Sequence, residues 1–188
     1  MAKINNFLRY ILCIALCTYS TFAYSDSEQI RNKLSSIYLA EIGVRELTGH
    51  NDGKQVEAYL ASCHLKKGQP YCAAFVCWSF KQAGITAITS GYSPNWFPAN
   101  KLIYKVNKFT KSVPLSGDVG GMYFPAHGRI AHTFFIHSWP AYGCETVITV
   151  EANTSRAGAV GSEKSRDGDG VYKKRRLKHQ IYTVSRWI

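Results

Sequence analysis

Apolar positions in the N-terminal half of the chain repeat with the period of an α-helix. From Ser27 to Glu46 they recur every three or four residues, which is the spacing of one helical face. These positions are Ile30, Leu34, Ile37, Tyr38 and Ile42. A second, short helix is predicted from Lys54 to Ser62. A third is predicted to run to Ala83, because Pro70 suits a first helical turn and Gly84 suits the residue just past a helix end.

Beyond Gly117 the period changes to that of β-strands. Five segments are rich in β-branched and aromatic residues and are separated by Gly, Pro and Asp. They are GDVGGMYF, GRIAHTFFIH, TVITVEANT, GVYKKRRL and HQIYTVSRWI. Helices first and strands afterwards predict an α+β domain, with N-terminal helices packed on a C-terminal antiparallel sheet. Between the two halves, residues 85–115 are irregular, and we expect one short helix near residues 99–106.

The first 25 residues have the pattern of a secretory signal peptide. Lys3 and Arg9 give a positive start, residues 10–18 are apolar, and small residues spaced for cleavage follow. The apolar run is short for a transmembrane span and polar at its far end. We therefore expect an exported protein, periplasmic or secreted, with no stable membrane insertion after cleavage and with one domain at residues 26–188. The alternative is an uncleaved N-terminal anchor.

The segment GQPYCAAFVCWSF places two cysteines on the third predicted helix. Cys72 falls in the first turn, where free backbone N–H groups and the helix dipole favour the thiolate, which is the reactive form. Cys77 lies five positions further on. This spacing turns it away from Cys72 and predicts a small buried side chain rather than a disulfide partner. In an oxidising compartment, Cys63 and Cys144 are a candidate disulfide pair.

A thiolate nucleophile needs a base, and the base needs a group that orients it. In the strand GRIAHTFFIH, alternation puts His132 on the face of Ile130 and His137 on the opposite face. In the strand TVITVEANT, Glu151 and Asn153 share one face. If the two strands are neighbours, either residue lies beside His132. Spacing alone also fits a core histidine whose hydrogen bonds are satisfied.

These segments resemble a known family. CAAFVCW, AHTFFI and TVEANTS look like the corresponding segments of the CHAP amidohydrolases and peptidases, which are bacterial cysteine hydrolases of papain-like fold. The residues that match the family pattern, in order, are Tyr71, Cys72, Trp78, His132, Glu151 and Asn153. The resemblance covers about residues 42–176. It departs from the family at Ala131, where glycine is usual, and at Thr133, which replaces a small or apolar residue.

The resemblance implies a peptidoglycan hydrolase, either an N-acetylmuramoyl-L-alanine amidase or an endopeptidase of the stem peptide or cross-bridge. It implies Cys72 as nucleophile, His132 as general base and later acid, and Glu151 as the group that holds the imidazole. Asn153 is expected to support the same network. The backbone N–H of Cys72 and the side chain of Gln69 are candidates for the oxyanion hole. We expect a monomer that uses no cofactor and no metal.

Charge adds a second hypothesis. The net charge of +11 and the pI of about 9.4 favour anionic partners. Alternation divides the basic run at 173–176 between two faces of a strand, and no nucleic-acid motif accompanies it. The run also fits a solvated edge strand. The resemblance implies peptidoglycan as the substrate, the charge makes anionic wall polymers a further candidate partner, and we expect no nucleic acid. The alternative function is a non-catalytic, exported, papain-like module that binds such polymers.

A metal site is the last alternative. The candidates for its ligands are Cys72, Cys77, His127, His132 and His137, but no pair of them has the tight C-x-x-C or H-x-x-x-H spacing that zinc sites favour.

Overall fold

The structure is a computed structural model that describes residues 26–140, 142–156 and 168–188. The segment predicted as a signal peptide lies outside the described residues. Three α-helices come first: α1 at residues 26–40, α2 at Lys54–Ser62 and α3 at Cys72–Ala83. The second helix has the predicted bounds, and Gly84 ends the third in the left-handed conformation, with φ 73°. None of the described helices is long and apolar enough to cross a bilayer.

Seven strands of the described residues form one antiparallel sheet. They are β1 Leu102–Lys105, β2 Phe109–Thr110, β3 Val119–Phe124, β4 Arg129–Ser138, β5 Thr146–Thr154, β6 Gly170–Leu177 and β7 Thr183–Ser185. Their order across the sheet is β2–β1–β7–β3–β4–β5–β6. The predicted α+β class is therefore confirmed, with the helices ahead of the sheet along the chain.

The prediction of a helix at 99–106 is wrong. The chain makes one turn of 3-10 helix at Ala99–Lys101 and then enters β1, which pairs with β7. A short apolar run fits either a helix or a strand on pattern alone. Here pairing with the C-terminal strand stabilises the extended form.

The helices pack on one face of the sheet around Phe135 of β4. The centroid of its ring lies 4.6 Å from that of Tyr38 in α1, and 5.8 Å and 5.6 Å from those of Phe75 and Phe80 in α3. The adjacent Phe134 belongs to a second apolar cluster. Neighbouring residues of β4 thus bury their rings on opposite faces, as strand alternation requires, and the sheet is covered on both faces at this strand.

Strand β4 contains a bulge at Ala131. Consecutive residues of β3 pair with His132 and then with Ile130, which leaves Ala131 without a partner on β3. The bulge interrupts the alternation, so that Ile130 lies on the side of Gly121, where an added Cβ would meet it at 3.0 Å. The prediction that Ile130 shares the face of His132 is wrong for this reason. The ring of His132 remains beside that of Phe134, with centroids 5.5 Å apart.

Candidate active site

Cys72 is the first residue of α3. Its main-chain N–H therefore has no acceptor within the helix. The residue is 4% exposed, and it lines a cleft of about 250 Å³. The cleft is also lined by Gln69, Tyr92, Ser93, Arg129 and Ala131. The sulfur is thus shielded from bulk water but opens onto a space that a substrate group can enter.

Strands β4 and β5 bring His132 and Glu151 together. Nε2 of His132 lies 2.9 Å from Oε2 of Glu151, and both side chains are fully buried. This contact fixes the orientation of the ring and leaves Nδ1 for another group. Among the described residues, Nδ1 has no hydrogen-bond partner.

The thiol of Cys72 and the imidazole of His132 act on each other. Burial disfavours the charged form of each group, but the attraction between the two groups outweighs this effect of burial. The ring of His132 lowers the pKa of Cys72 below its ordinary value. Cys72 and Glu151 together raise the pKa of His132 to about 9. No hydrogen bond of standard geometry joins thiol and ring, as is frequent for catalytic pairs without substrate. The shifts favour a thiolate beside an imidazolium.

Ser93 is a site residue that the sequence analysis missed. Its hydroxyl lies 3.6 Å from the sulfur of Cys72, and the residue is buried. A hydroxyl that donates to the sulfur favours the thiolate. Burial raises the pKa of Cys72, and the contact with Ser93 is, after His132, among the causes that lower it. Ser93 begins a short 3-10 helix in the irregular part of the chain. The dipeptide Ser-Pro indicates a turn there, but nothing in the pattern places that turn against α3.

Glu151 is surrounded by donors. Arg176 donates from Nε to Oε1 at 2.7 Å and from Nη2 to Oε2 at 2.5 Å, and the hydroxyl of Thr149 donates to Oε1 at 2.6 Å. Burial opposes ionisation, but Arg176 and then His132 hold the pKa of Glu151 well below its ordinary range. The carboxylate therefore stays charged, so that it accepts a hydrogen bond from His132 and does not compete for a proton.

The basic run at 173–176 divides between two faces, as alternation predicts. Lys173 and Arg175 are exposed, whereas Lys174 and Arg176 are buried. The strand that carries them, β6, is at the edge of the sheet. Arg176 belongs to the interior of the candidate site and not to the charged surface. The sequence did not reveal this role because the register of β6 against β5 cannot be read from composition or period.

The structure does not place Asn153 in the network around His132. No hydrogen bond joins its side chain to His132 or Glu151, and its Oδ1 has no partner among the described residues. Its backbone is left-handed, with φ 56°, and the pairing of β5 with β6 is irregular between Glu151 and Thr154. The alternation that predicted Asn153 on the face of Glu151 therefore does not hold at this end of β5. Asn153 instead lines a second cavity, of about 660 Å³.

The cysteines are arranged differently from the pairing that the sequence suggests. All four in the described residues are free thiols, and Cys144 is exposed whereas the others are buried. Cys63, at the end of α2, interacts with Cys77 in α3. This interaction raises the pKa of Cys63 and lowers that of Cys77 to about 6. Cys77 is buried, as predicted, but its neighbour is a second thiol as well as apolar side chains.

Arg176→Gln is expected to lower the free energy of unfolding by about 3–5 kcal/mol at neutral pH, because it leaves the buried carboxylate short of its main partner. The loss should depend on pH. The depressed pKa of Glu151 adds stability that is present above the unfolded value of about 4.3 and is lost as the pH falls through the folded value. The variant has less of this stability. The difference in free energy of unfolding between the wild type and the variant should therefore become smaller in acid.

Chemical denaturation from neutral to acid pH measures both effects. Arg175→Gln is the matched control, because Arg175 is the exposed neighbour on the same strand. It should change the free energy of unfolding by less than about 0.5 kcal/mol at every pH. Equal losses in the two variants would contradict the assigned role of Arg176.

Comparisons of the chain with models of known protein families, with curated proteins and with solved structures found no match. In the described ranges, no group of three His, Cys, Asp or Glu side chains is placed to hold a metal ion. The case for a function therefore rests on the geometry of Cys72, His132 and Glu151.

Proposed function

We propose that this protein is an exported, cysteine-dependent amidohydrolase of papain-like fold that cleaves amide bonds in peptidoglycan. The observation that carries the proposal is the buried pair of Cys72 and His132. Cys72 lines a cleft, and the ring nitrogen of His132 that does not face the thiol is hydrogen-bonded to Glu151. A cysteine at a helix start, with a histidine and its orienting group on later strands, is also the order of elements expected for this class.

The first half of the reaction forms a thioester. The Cys72 thiolate attacks the carbonyl carbon of the scissile amide, a C–S bond forms, and negative charge moves to the carbonyl oxygen. We assign stabilisation of that oxygen to the main-chain N–H of Cys72 and to Gln69, which lines the same cleft. Protonated His132 then gives the Nδ1 proton to the leaving nitrogen as the C–N bond breaks, and the amine departs.

The second half consumes water. Neutral His132 takes a proton from the water as its oxygen attacks the thioester carbon. The C–S bond breaks, the carboxylic acid leaves, and the thiolate and the imidazolium are restored. Glu151 transfers no proton, because its pKa is held far below that of the ring. It keeps the ring in one orientation and stabilises its positive form.

The choice of substrate rests on the resemblance to the CHAP family and on charge. A net charge of +11 suits the anionic polymers of a cell wall. The alternative is a binding module without activity. The basic run at 173–176 supports this alternative less than the composition suggests. Lys174 and Arg176 are buried, so only Lys173 and Arg175 of that run face outward.

Hydrolysis of purified sacculi tests the proposal. The wild type is expected to release soluble fragments, and Cys72→Ala is expected to lower the rate by at least about a thousandfold. Cys77→Ala is the matched control, since it removes the other cysteine of α3, and it should retain activity. Mass spectrometry of the released ends identifies the bond, because an amidase frees stem peptides that begin with L-alanine. Full activity in Cys72→Ala would refute the mechanism. A wild type that binds sacculi and releases nothing would favour the binding module.

The pH profile of kcat/KM should be bell-shaped. Activity rises as the Cys72 thiol ionises, at a pH below the ordinary thiol value. It falls as the imidazolium of His132 loses its proton, with a pKa of about 9. Cys77→Ala should give the same pH profile. That result would show that Cys77, with its pKa of about 6, is not the source of the acid limb. An alkaline limb near the ordinary histidine value of about 6.5 would contradict the thiolate–imidazolium pair.

A further inference from the structure

The cleft that contains Cys72 has one permanently charged side chain among its described lining residues, Arg129. Arg129 is the first residue of β4, on the same strand as His132. The other polar groups of the lining are neutral or belong to the reacting thiol. A substrate group that enters the cleft therefore meets a fixed positive charge close to the scissile bond.

The guanidinium of Arg129 is held in place from two sides. Its Cζ lies 5.1 Å from the centroid of the Tyr92 ring, and Nη1 donates to the carbonyl of Ile130 at 3.2 Å. Tyr92 also lines the cleft, and it is followed directly by Ser93, whose hydroxyl contacts the sulfur of Cys72. One peptide bond thus links Tyr92 to the residue whose hydroxyl contacts the reacting sulfur. A guanidinium over an aromatic face is held there by cation–π attraction, and its donors lie in one plane.

Arg129 has no acidic partner among the described residues. The arginines that do pair with an Asp or Glu side chain are Arg31, Arg45, Arg176 and Arg186. Arg129 keeps most of its donors for a ligand, and its planar fork matches the two oxygens of a carboxylate. Since this charge stands at the cleft and is not neutralised there, the ligand it suits is an anionic group of the substrate.

We propose that Arg129, backed by Tyr92, forms an anion subsite that selects substrates with a carboxylate close to the scissile amide. The inference rests on the proposed function and narrows its substrate class. In peptidoglycan, the preferred substrate is a stem peptide whose acidic residue beside the cleaved bond carries a free carboxylate. The same peptide with that group converted to a carboxamide is the poorer substrate.

A first test needs no hydrolytic activity. Iodoacetate and iodoacetamide both alkylate the Cys72 thiolate with release of iodide, and they differ in carrying a carboxylate or a carboxamide. The ratio of the two rates cancels the fraction of thiolate, and the change of this ratio between variants reports what the substituted residue adds to the preference for the anion. The measurement uses a Cys144→Ser background, because Cys144 is exposed. Fragmentation of the labelled peptide in the mass spectrometer locates the label on Cys72 and separates it from Cys77, which lies in the same segment.

Arg129→Gln is expected to lower the iodoacetate to iodoacetamide ratio by about three- to tenfold. Lys105→Gln is the matched control, because its ammonium also stands over a tyrosine ring, that of Tyr182, at 5.1 Å, but outside the cleft lining. It should leave the ratio unchanged. Arg129→Lys keeps the charge, so it should keep most of the ratio. Comparison of the Gln and Lys variants therefore shows whether the ratio falls because the charge is lost or because the structure is disturbed. Equal ratios in Arg129→Gln and Lys105→Gln would overturn the proposal.

A second test uses two synthetic stem peptides that differ only in a carboxylate or a carboxamide next to the scissile bond. The wild type should favour the carboxylate peptide by about tenfold or more in kcat/KM, and Arg129→Gln should lose this preference. A wild type that cleaves both peptides equally would overturn the anion subsite and leave the proposed function standing. A wild type that cleaves neither peptide and releases nothing from purified sacculi would overturn the proposed function, and the alkylation ratio would then decide on the subsite alone.

Discussion

The carboxylate of Glu151 has no exposed surface, and the rest of the candidate site depends on how its charge is compensated. A buried carboxylate without partners is neutral or strongly destabilising. Here Arg176 supplies an opposite charge and two donors, Thr149 supplies a hydroxyl, and His132 supplies a ring nitrogen. These groups come from β4, β5 and β6, so the same carboxylate ties three strands together and sets the position of the imidazole.

The charges at the site alternate in sign. In the thiolate–imidazolium state that the pKa shifts favour, Arg176 is positive, Glu151 negative, His132 positive and Cys72 negative, and each interacts with the next. The row as a whole is neutral, which makes four buried ionic groups tolerable. Arg176 also neutralises part of the charge with which Glu151 would stabilise the imidazolium. The protonated ring therefore depends on the thiolate as well as on the carboxylate.

Several parts of this structure could be predicted from the sequence because they depend on local chemistry. The bounds of α2 follow from the helical period, and those of β5 follow from its β-branched residues. The choice of Cys72 as the candidate reactive cysteine follows from its place in the first helical turn. Other parts depend on contacts between distant segments. Ser93 comes from a stretch without period, and Arg176 reaches the site through the register of β6.

The bulge at Ala131 shows a different limit of sequence analysis. Strand alternation assumes one partner for each residue, and one unpaired residue reverses the relative faces of the residues on its two sides, here Ile130 and His132.

The charge state of His132 tests the central claim most directly. NMR of the imidazole nitrogens across pH, in the wild type and in Cys72→Ala, reports whether the ring is protonated and which nitrogen carries the proton. We expect a positive ring at neutral pH in the wild type, with a pKa of about 9, and a lower pKa in Cys72→Ala, where the thiolate is absent. A wild-type ring that is neutral at neutral pH, with the same pKa in both proteins, would contradict a thiolate–imidazolium pair at this site.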